Sequence, residues 1–216
     1  MPHSLPPPST VYLARHGQSE WNHTGRITGQ ADIGLSEVGQ AQSLALARCL
    51  EGVPLSAIYC SALQRTAATA APTAAAAGLM VQPLAALNEI GLGVLQGRYR
   101  DDRDPQAQAL WSAWQADPWG AAVPGGERMD DLVQRAVSAL RQILQRHAGQ
   151  SVLIVRHRAT NRVLLATLLG WPREPWVDIR LRNKFFYRLR LGDPPEVASF
   201  ALSGRLAGIC QEGLVM

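Results

Sequence analysis

Lysine, cysteine and long apolar runs are all scarce in this chain. Of its 21 basic residues only Lys184 is a lysine, so nearly all of the positive charge is carried by guanidinium groups. Planar guanidinium groups suit bidentate contacts with phosphate or carboxylate, although a composition that favours arginine and alanine also accounts for most of them. The arginines are scattered rather than gathered into a basic stripe with interleaved aromatic rings, which argues against a nucleic-acid-binding protein.

The cysteines do not form a disulfide pattern. Cys49, Cys60 and Cys210 are odd in number, widely spaced and without a C-x-x-C pair, which is typical of reduced thiols in a cytoplasmic protein. No apolar run approaches the ~20 residues of a membrane span. The start of the chain also lacks the apolar stretch of a secretory signal. We therefore expect a cytoplasmic protein without a membrane partner.

The remaining composition is that of an ordinary globular protein. The 216 residues are 47% hydrophobic and 18% charged, which suits one sizeable domain, here residues 9–216. The proline-rich residues 1–8 predict a disordered arm. The least regular part is residues 90–126, which contains several glycines and ends in Pro124-Gly125-Gly126. We expect a small lid there, with one helix near residues 105–116.

Short apolar runs alternate with helical patterns along most of the chain. The runs predict strands at 11–14, 57–60, 80–82 and 151–155. The helical patterns predict helices at 37–50, 62–77, 127–147 and 159–169. Ser36 is expected to be the N-cap of the first helix, and Pro72 is expected to end or kink the second. Residues 17–35 are expected to form a polar loop.

The C-terminal part follows a different pattern. Side chains from Phe185 to Leu191 alternate between apolar and polar, as in a half-buried strand, and residues 197–202 can pair with it. Strands that alternate with helices favour a parallel sheet. We therefore predict an α/β fold: a three-layer sandwich with a mostly parallel central sheet flanked by helices, a small helical and loop lid insertion, and a C-terminal β-hairpin.

Reactive side chains follow each of the four predicted strands. Arg15-His16 follows the first strand, Arg65 lies one turn into the helix after the second, Glu89 follows the third, and Arg156-His157 follows the fourth. Ligands of open α/β sheets bind beyond the carboxyl ends of the strands, and parallel strands bring those ends to one side. Two histidines, at least two arginines and a carboxyl group should therefore converge in one cleft.

These residue types together suit phosphoryl transfer. Arginines neutralise and orient a phosphoryl group through charge-assisted hydrogen bonds, and a neutral imidazole can attack phosphorus. Neighbouring guanidinium charges lower the pKa of an imidazole and keep it neutral near pH 7. A carboxyl group can protonate the leaving alkoxide and later deprotonate the attacking water. The sequence therefore predicts covalent catalysis through a histidine.

Six ordered segments form a set: RHGQSEWN at 15–22, RITG at 26–29, SALQRTAATA at 61–70, LNEIGLGVLQG at 87–97, PGGE at 124–127 and VRH at 155–157. Together they resemble the histidine phosphatase superfamily, also called phosphoglycerate mutase-like. The resemblance covers most of the chain. Because the chain is short, it is similar to the compact phosphatase branch of that superfamily rather than to its longer mutases.

The resemblance implies a role for each of the predicted site residues. His16 would be the phosphorylated nucleophile and Glu89 the proton donor, while Arg15, Arg65 and His157 would complete the phosphate pocket. The residues implied to contact phosphate or substrate are Asn22, Thr28, Gly29 and Gln18. No metal ion or other cofactor is implied, because arginine and histidine supply the positive charge.

One position departs from the pattern of the superfamily. Arg158 follows the second histidine, where relatives commonly have glycine. Its bulky cationic side chain could narrow the pocket or grip a second anionic group of the substrate, and we include it among the substrate-binding residues. Other assignments also stay open: Asp101, Asp102 or Asp104 could replace Glu89 as proton donor. A metal site of His16, His23 and His157 is disfavoured, because the adjacent guanidinium groups would repel a cation.

Three functions remain after these comparisons of residues. The favoured one is a metal-independent phosphomonoesterase acting on a small phosphorylated metabolite, such as a sugar phosphate or a phosphoglycerate derivative. The second is a phosphomutase of the phosphoglycerate-mutase type, which would return the phosphoryl group to its substrate. The third is a phosphate-binding protein without catalysis. The sequence leaves the natural substrate undetermined and a homodimer possible.

Overall fold

The computed structural model describes residues 9–172, 176, 184–202 and 210–212. A seven-stranded sheet forms its centre, in the order β3-β2-β4-β1-β5-β6-β7. The strands are β1 (Thr10–Arg15), β2 (Leu55–Ser61), β3 (Val81–Leu84), β4 (Ser151–Arg156), β5 (Phe185–Arg190), β6 (Glu196–Ala201) and β7 (Cys210–Glu212). The predicted arm, residues 1–8, lies outside the described residues.

The sheet has a parallel half and an antiparallel half. Strands β3, β2, β4 and β1 run parallel, as predicted from the four apolar runs. Strand β5 joins β1 antiparallel and forms the predicted hairpin with β6. Strand β7 adds to the outer side of β6 and was not predicted. In the register of β1 and β4, Arg15 is the partner of Arg156, so both arginine-histidine steps leave the sheet at the same level.

The described residues form six α-helices around the sheet. They are α1 (Glu20–Thr24), α2 (Glu37–Cys49), α3 (Gln64–Ala77), α4 (Pro105–Ala116), α5 (Met129–Arg146) and α6 (Arg158–Leu168). The predicted N-cap of α2 is confirmed, because the Ser36 hydroxyl accepts a hydrogen bond from the Gly39 amide at 3.2 Å. The predicted helices at 127–147 and 159–169 correspond to α5 and α6 within two residues at each end.

One prediction of local structure was wrong. The loop expected over residues 17–35 contains α1, which begins at a capping box formed by Ser19 and Asn22. Of the two effects expected of Pro72, it does not end its helix, since α3 continues through it to Ala77, and a kink stays a prediction. A proline removes one helical hydrogen bond, but Ala70 and Ala74 on either side of it are buried in the core. That burial holds the helix together across the missing bond.

The core consists of two apolar layers, one on each face of the sheet. Strand β1 contributes Val11 and Leu13 to the layer under α5 and α6, and Tyr12 and Ala14 to the layer under α2 and α3. This burial on both faces explains why the parallel strands read as continuous apolar runs. Side chains alternate along a strand, so Arg15 points to the same face as Leu13, towards α5 and α6.

The segment 90–126, where a lid is predicted, contributes one wall of the cavity described below. A turn of 3-10 helix at Gly93–Leu95 and helix α4 make up its regular structure. A β-bridge between Leu92 and Gly126 closes the base of the segment. Trp111, Trp114 and Trp119 pack against the core layer under α5 and α6. Across the part of the chain that the structure describes, no helix is long and apolar enough to cross a membrane.

Candidate active site

His16 and His157 follow adjacent central strands and lie side by side. Their ring centroids are 5.0 Å apart, with the ring planes inclined by 57°. The His16 amide donates a hydrogen bond to the Arg156 carbonyl at 2.8 Å, which continues the pairing of β1 and β4 for one residue. Both imidazoles are buried. The sequence prediction that the two histidines converge at one end of the sheet is therefore matched by the geometry.

The protonation of the His16 ring follows from a single contact. Its Nδ1 lies 2.6 Å from the Gly17 carbonyl oxygen. A carbonyl oxygen only accepts hydrogen bonds, so Nδ1 carries the proton and Nε2 keeps its lone pair. Burial lowers the pKa of His16 well below its ordinary value, and the charges of Arg15 and Arg65 lower it further, against the opposing effect of the Gly17 carbonyl. His16 is therefore a neutral base at pH 7.

His157 is held by hydrogen bonds at both ring nitrogens. The Arg65 Nε donates to its Nδ1 at 3.3 Å, which leaves Nε2 to carry the proton towards the Ser61 hydroxyl, 2.7 Å away. Burial lowers the pKa of His157 well below the ordinary value, followed by the effects of His16 and of the surrounding arginines. His157 is fully buried behind His16 and does not line the cavity described below.

Arg15 and Arg65 supply the positive charge next to His16. Arg65 is almost fully buried and donates hydrogen bonds to the carbonyls of Ala31 at 2.6 Å and Gly29 at 2.8 Å. These bonds fix its guanidinium group in place. Burial is the main cause that lowers the pKa of both arginines to about 10, so both stay charged at neutral pH and face the same cavity.

Glu89 lies at the N-terminus of α6. Its carboxylate accepts hydrogen bonds from the backbone amides of Ile90 at 3.0 Å, Ala159 at 3.1 Å and Thr160 at 3.3 Å. The amides at the start of a helix favour a negative group at this position. Glu89 is the one carboxylate among the described residues that line the cavity.

The alternative proton donors lie elsewhere. A hydrogen bond from Arg103 holds the pKa of Asp101 at about 2, and one from Arg98 lowers the pKa of Asp104. Neither these carboxylates nor Asp102 line the cavity. His23, part of the disfavoured metal site, also lies outside the lining. Within the ranges that the structure describes, no three histidine, cysteine, aspartate or glutamate side chains come together to hold a metal ion.

Arg135 is a site-supporting residue that the sequence interpretation missed. From α5 it donates hydrogen bonds to the carbonyls of Ala86 at 2.9 Å, Asn88 at 2.8 Å and Glu89 at 3.0 Å. Its charge is paired with Glu127, whose carboxylate also accepts from the Gly91 amide. The PGGE segment thus orients Arg135, and Arg135 holds the loop that carries Glu89.

Arg156 is a second residue that the interpretation left without a role. It is fully buried, and its Nη1 donates to the Thr160 carbonyl at 3.2 Å. Its Nε and Nη2 have no hydrogen-bond partner among the described residues. Burial lowers the pKa of Arg156 to about 9 against the opposing charge of Glu89. The sequence pattern that could have identified Arg156 as a site residue is a charged residue at the end of an otherwise apolar strand.

A cavity of about 830 Å³ opens above His16. All of the predicted substrate-binding residues line it, namely Gln18, Asn22, Thr28, Gly29 and Arg158. The Thr28 hydroxyl is buried without a hydrogen-bond partner among the described residues, which suits a contact to a ligand. The Asn22 side chain, in contrast, accepts from the Ser19 amide in the capping box of α1. The cavity has room for a metabolite larger than a phosphoryl group.

This fold, with two histidines and several arginines at one end of its parallel strands, is that of an enzyme of phosphoryl chemistry. The chain belongs to the histidine phosphatase superfamily: the model of its branch 1 matches residues 11–197. The protein named "Probable phosphoglycerate mutase GpmB" of Yersinia pestis is 36% identical over 189 residues, which cover 88% of each chain.

Solved structures of phosphatases share the fold. The α-ribazole phosphatase of Shigella flexneri superposes with a TM-score of 0.80 at 26% identity, covering 93% of this chain and 98% of the other. The mycobacterial glucosyl-3-phosphoglycerate phosphatase superposes with a TM-score of 0.75 at 28% identity, covering 84% and 89%. The resemblance that the sequence segments indicated is therefore confirmed at the level of the superfamily.

Proposed function

We propose that the protein is a metal-independent phosphomonoesterase that hydrolyses a small phosphorylated metabolite through a phosphohistidine at His16. The observation that carries this proposal is the hydrogen bond between His16 Nδ1 and the Gly17 carbonyl. It leaves an unprotonated Nε2, and the low pKa of the buried ring keeps that nitrogen neutral. An imidazole in this state is a ready nucleophile at neutral pH.

In the first step, Arg15 and Arg65 bind the phosphoryl oxygens and align phosphorus with His16. The Nε2 lone pair forms the N–P bond while the P–O bond to the leaving group breaks. Glu89 acts as the general acid and transfers a proton to the leaving alkoxide. In the second step, Glu89 takes a proton from water, whose oxygen attacks phosphorus and releases inorganic phosphate and neutral His16. His157 fixes the Arg65 guanidinium and so supports both steps.

Two kinds of relatives support two related activities. The structural neighbours named as phosphatases favour hydrolysis. The relative named as a phosphoglycerate mutase supports a second candidate, a phosphomutase that transfers the phosphoryl group back to its substrate. The paired histidines and Glu89 serve either reaction, because both share the first step.

The deciding experiment follows both products of 3-phosphoglycerate. Free phosphate release measures hydrolysis, and formation of 2-phosphoglycerate measures isomerisation; dominant isomerisation would overturn the phosphatase proposal in favour of the mutase. The His16→Ala variant should lose turnover of p-nitrophenyl phosphate, whereas His23→Ala, at an exposed position, serves as the matched control. Acid quenching should destroy the trapped phosphoenzyme, since a P–N bond is acid-labile.

A protein that only binds phosphate is the third outcome. No turnover on p-nitrophenyl phosphate or on a panel of phosphorylated metabolites would establish it. An acid-stable phosphoenzyme would instead assign the covalent bond to another side chain and contradict the role of His16.

A further inference from the structure

Arg156 is a fully buried cation with few partners. Its Nη1 donates to the Thr160 carbonyl at 3.2 Å, whereas Nε and Nη2 have no hydrogen-bond partner among the described residues. Buried donors are normally paired, and taking a charge out of water lowers stability unless its partners compensate. Stability therefore does not explain an arginine at this position, so its role follows from the groups that it reaches.

The side chain of Arg156 points towards α6. Ile154, two residues earlier in β4, lies in the core layer under α5 and α6, and side chains alternate along a strand, so Arg156 points to the same face. Arg15, its partner in β1, also points there, but Arg15 lines the cavity and Arg156 does not. Arg156 therefore contacts the helix from inside the core and not a substrate in the cavity.

Thr160, in the first turn of α6, links Arg156 to Glu89. Its carbonyl accepts the hydrogen bond from Arg156, and its amide donates to Glu89 Oε1 at 3.3 Å. Its hydroxyl donates to the Asn88 carbonyl at 2.9 Å. The amide of Ala159, one residue earlier, donates to both oxygens of the Glu89 carboxylate at 3.1 Å. Fixing the backbone at Thr160 therefore fixes the helix amides that hold the carboxylate.

The charge of Arg156 also acts on Glu89. Burial is the main cause that lowers the pKa of Arg156 to about 9, and the charge of the Glu89 carboxylate opposes that effect. Solvent ions screen an attraction between buried groups much less than one at the surface. Arg156 acts on His157 as well, but burial and three other side chains lower the pKa of His157 more than Arg156 does. Glu89 is therefore the main electrostatic partner of Arg156.

We propose that Arg156 is a positioning residue for Glu89: it fixes the first turn of α6 through the Thr160 carbonyl, and its charge holds the carboxylate at that turn. This inference rests on the proposed function, in which Glu89 transfers the protons. Arg156 lies outside the cavity lining and acts on catalysis through Glu89. A carboxylate held by helix amides and by a buried cation stays aligned with the leaving oxygen, and proton transfer depends on that alignment.

Arg156→Met tests this role by its dependence on the leaving group. Methionine fills similar space without a charge or an N–H donor. We expect kcat to fall about tenfold on 3-phosphoglycerate, whose alkoxide needs a proton, and no more than about twofold on p-nitrophenyl phosphate. Arg188→Met, which replaces a half-buried arginine of β5 outside the cavity lining, is the matched control and should change neither. Equal losses on both substrates would overturn the proposal.

A double-mutant cycle shows whether Arg156 acts through Glu89. In the Glu89→Gln protein the proton donor is already absent, so adding Arg156→Met should change kcat on 3-phosphoglycerate by no more than about twofold. With Glu89 present, the same substitution should lower kcat about tenfold. Losses that multiply across the cycle would overturn the proposal, because they would show that Arg156 acts independently of Glu89.

Two further variants separate the charge of Arg156 from its volume. Arg156→Lys keeps the positive charge and should retain more kcat on 3-phosphoglycerate than Arg156→Met; equal values in the two variants would overturn the proposal. Arg156→Met should fold, since it removes a buried charge, and urea unfolding checks this. If it does not fold, Arg156→Gln, which keeps an N–H donor, takes its place in the cycle, where multiplying losses have the same meaning.

A spectroscopic measurement separates this inference from the proposed function. With ¹³C at the glutamate carboxyl carbons, the NMR signal that disappears in Glu89→Gln belongs to Glu89. The chemical shift of that signal should change in Arg156→Met and stay the same in Arg188→Met, whether or not the protein turns over. If the wild type hydrolyses no phosphate ester while the shift depends on Arg156, the proposed function fails and the positioning of Glu89 stands. Hydrolysis with an unchanged shift in Arg156→Met refutes the positioning role alone.

Discussion

The backbones of Gly17 and Gly39 lie directly against each other where the residue after His16 meets α2. A Cβ atom at Gly17 would come within 2.5 Å of the Gly39 carbonyl oxygen, and one at Gly39 would collide with the Gln18 carbonyl. The Gly17 carbonyl is the acceptor that fixes the His16 ring. The contact between the two glycine backbones thus holds the Gly17 carbonyl in place, and that carbonyl selects the tautomer of the proposed nucleophile.

Gly39→Ala should therefore damage both stability and activity. The added methyl group must push α2 away from residues 17 and 18, at an expected cost of about 2 kcal/mol or more in the free energy of unfolding. Denaturant unfolding and kcat on p-nitrophenyl phosphate measure the two effects. Gln40→Ala, at the exposed neighbouring position, should change neither. Full activity in a folded Gly39→Ala protein would contradict the proposed control of the His16 tautomer.

Glu89→Gln should lower kcat more than it raises KM, because proton transfer belongs to the transition state. We expect a loss of about 10²-fold to 10⁴-fold on alkyl phosphates and a much smaller loss on aryl phosphates with good leaving groups. A series of aryl phosphates with different leaving-group pKa values measures the trend. Equal losses across the series would count against Glu89 as the proton donor. Asp101→Asn, outside the cavity lining, is the control.

Arg135→Met should reproduce part of the kcat loss expected for Glu89→Gln, although Arg135 does not line the cavity. The variant leaves the carbonyls of Asn88 and Glu89 without their donor and Glu127 without its ion-pair partner. We expect a loss of about 2 kcal/mol in stability and a fall in kcat that is largest for poor leaving groups. Arg141→Met, exposed on the same helix, should show neither effect. A uniform loss across leaving groups would indicate a purely structural role for Arg135.

Stability should fall as the pH drops below about 6.5, the ordinary histidine pKa. In the folded protein the pKa values of His16 and His157 lie well below that value, so the unfolded state binds protons that the folded state does not. The contribution of the two rings to the free energy of unfolding is complete above about pH 6.5. It is lost as the pH falls towards their lower folded-state pKa values, by up to ~1.4 kcal/mol per pH unit for each ring. Urea unfolding between pH 7.5 and about 5 measures the slope.

His157→Gln should reduce the slope of the free energy of unfolding against pH, because it removes the contribution of one of the two histidine rings. This expectation holds whatever effect the substitution has on stability at pH 7.5. His23→Gln, which replaces an exposed ring, is the matched control for the loss of an imidazole. Equal slopes in wild type and His157→Gln would show that His157 binds protons to the same extent in the folded and unfolded states, contrary to its lowered pKa.

The strands and the residues that follow them could be predicted because buried parallel strands leave a strong signal. Each is a short apolar run, and the polar residue after it stands out, as with His16 after β1 and Glu89 after β3. Helix α1 could not be predicted in this way. It is five residues long and buries no side chain, so it lacks an apolar periodicity and depends on its capping box.

Contacts between distant segments explain the other omissions. Arg135 has the ordinary appearance of a charged residue on an amphipathic helix, and only the folded loop shows that its donors meet the carbonyls around Glu89. On α2, Val38 is 53% exposed. Gly39 takes the inward position instead, because its backbone must meet Gly17. Neither contact has a local sequence pattern.

The register that pairs Arg15 with Arg156 has a consequence for behaviour in salt. Arg156 is sealed from solvent, so mobile ions cannot screen its charge, whereas Arg100 and Lys184 are exposed and are screened over a Debye length of about 8 Å at physiological ionic strength. Raising the ionic strength therefore weakens the attraction of the cavity mouth for an anionic substrate. The electrostatic field of Arg156 at the phosphorus atom of the bound substrate persists. Added salt should slow capture of the substrate and leave the chemical step nearly unchanged.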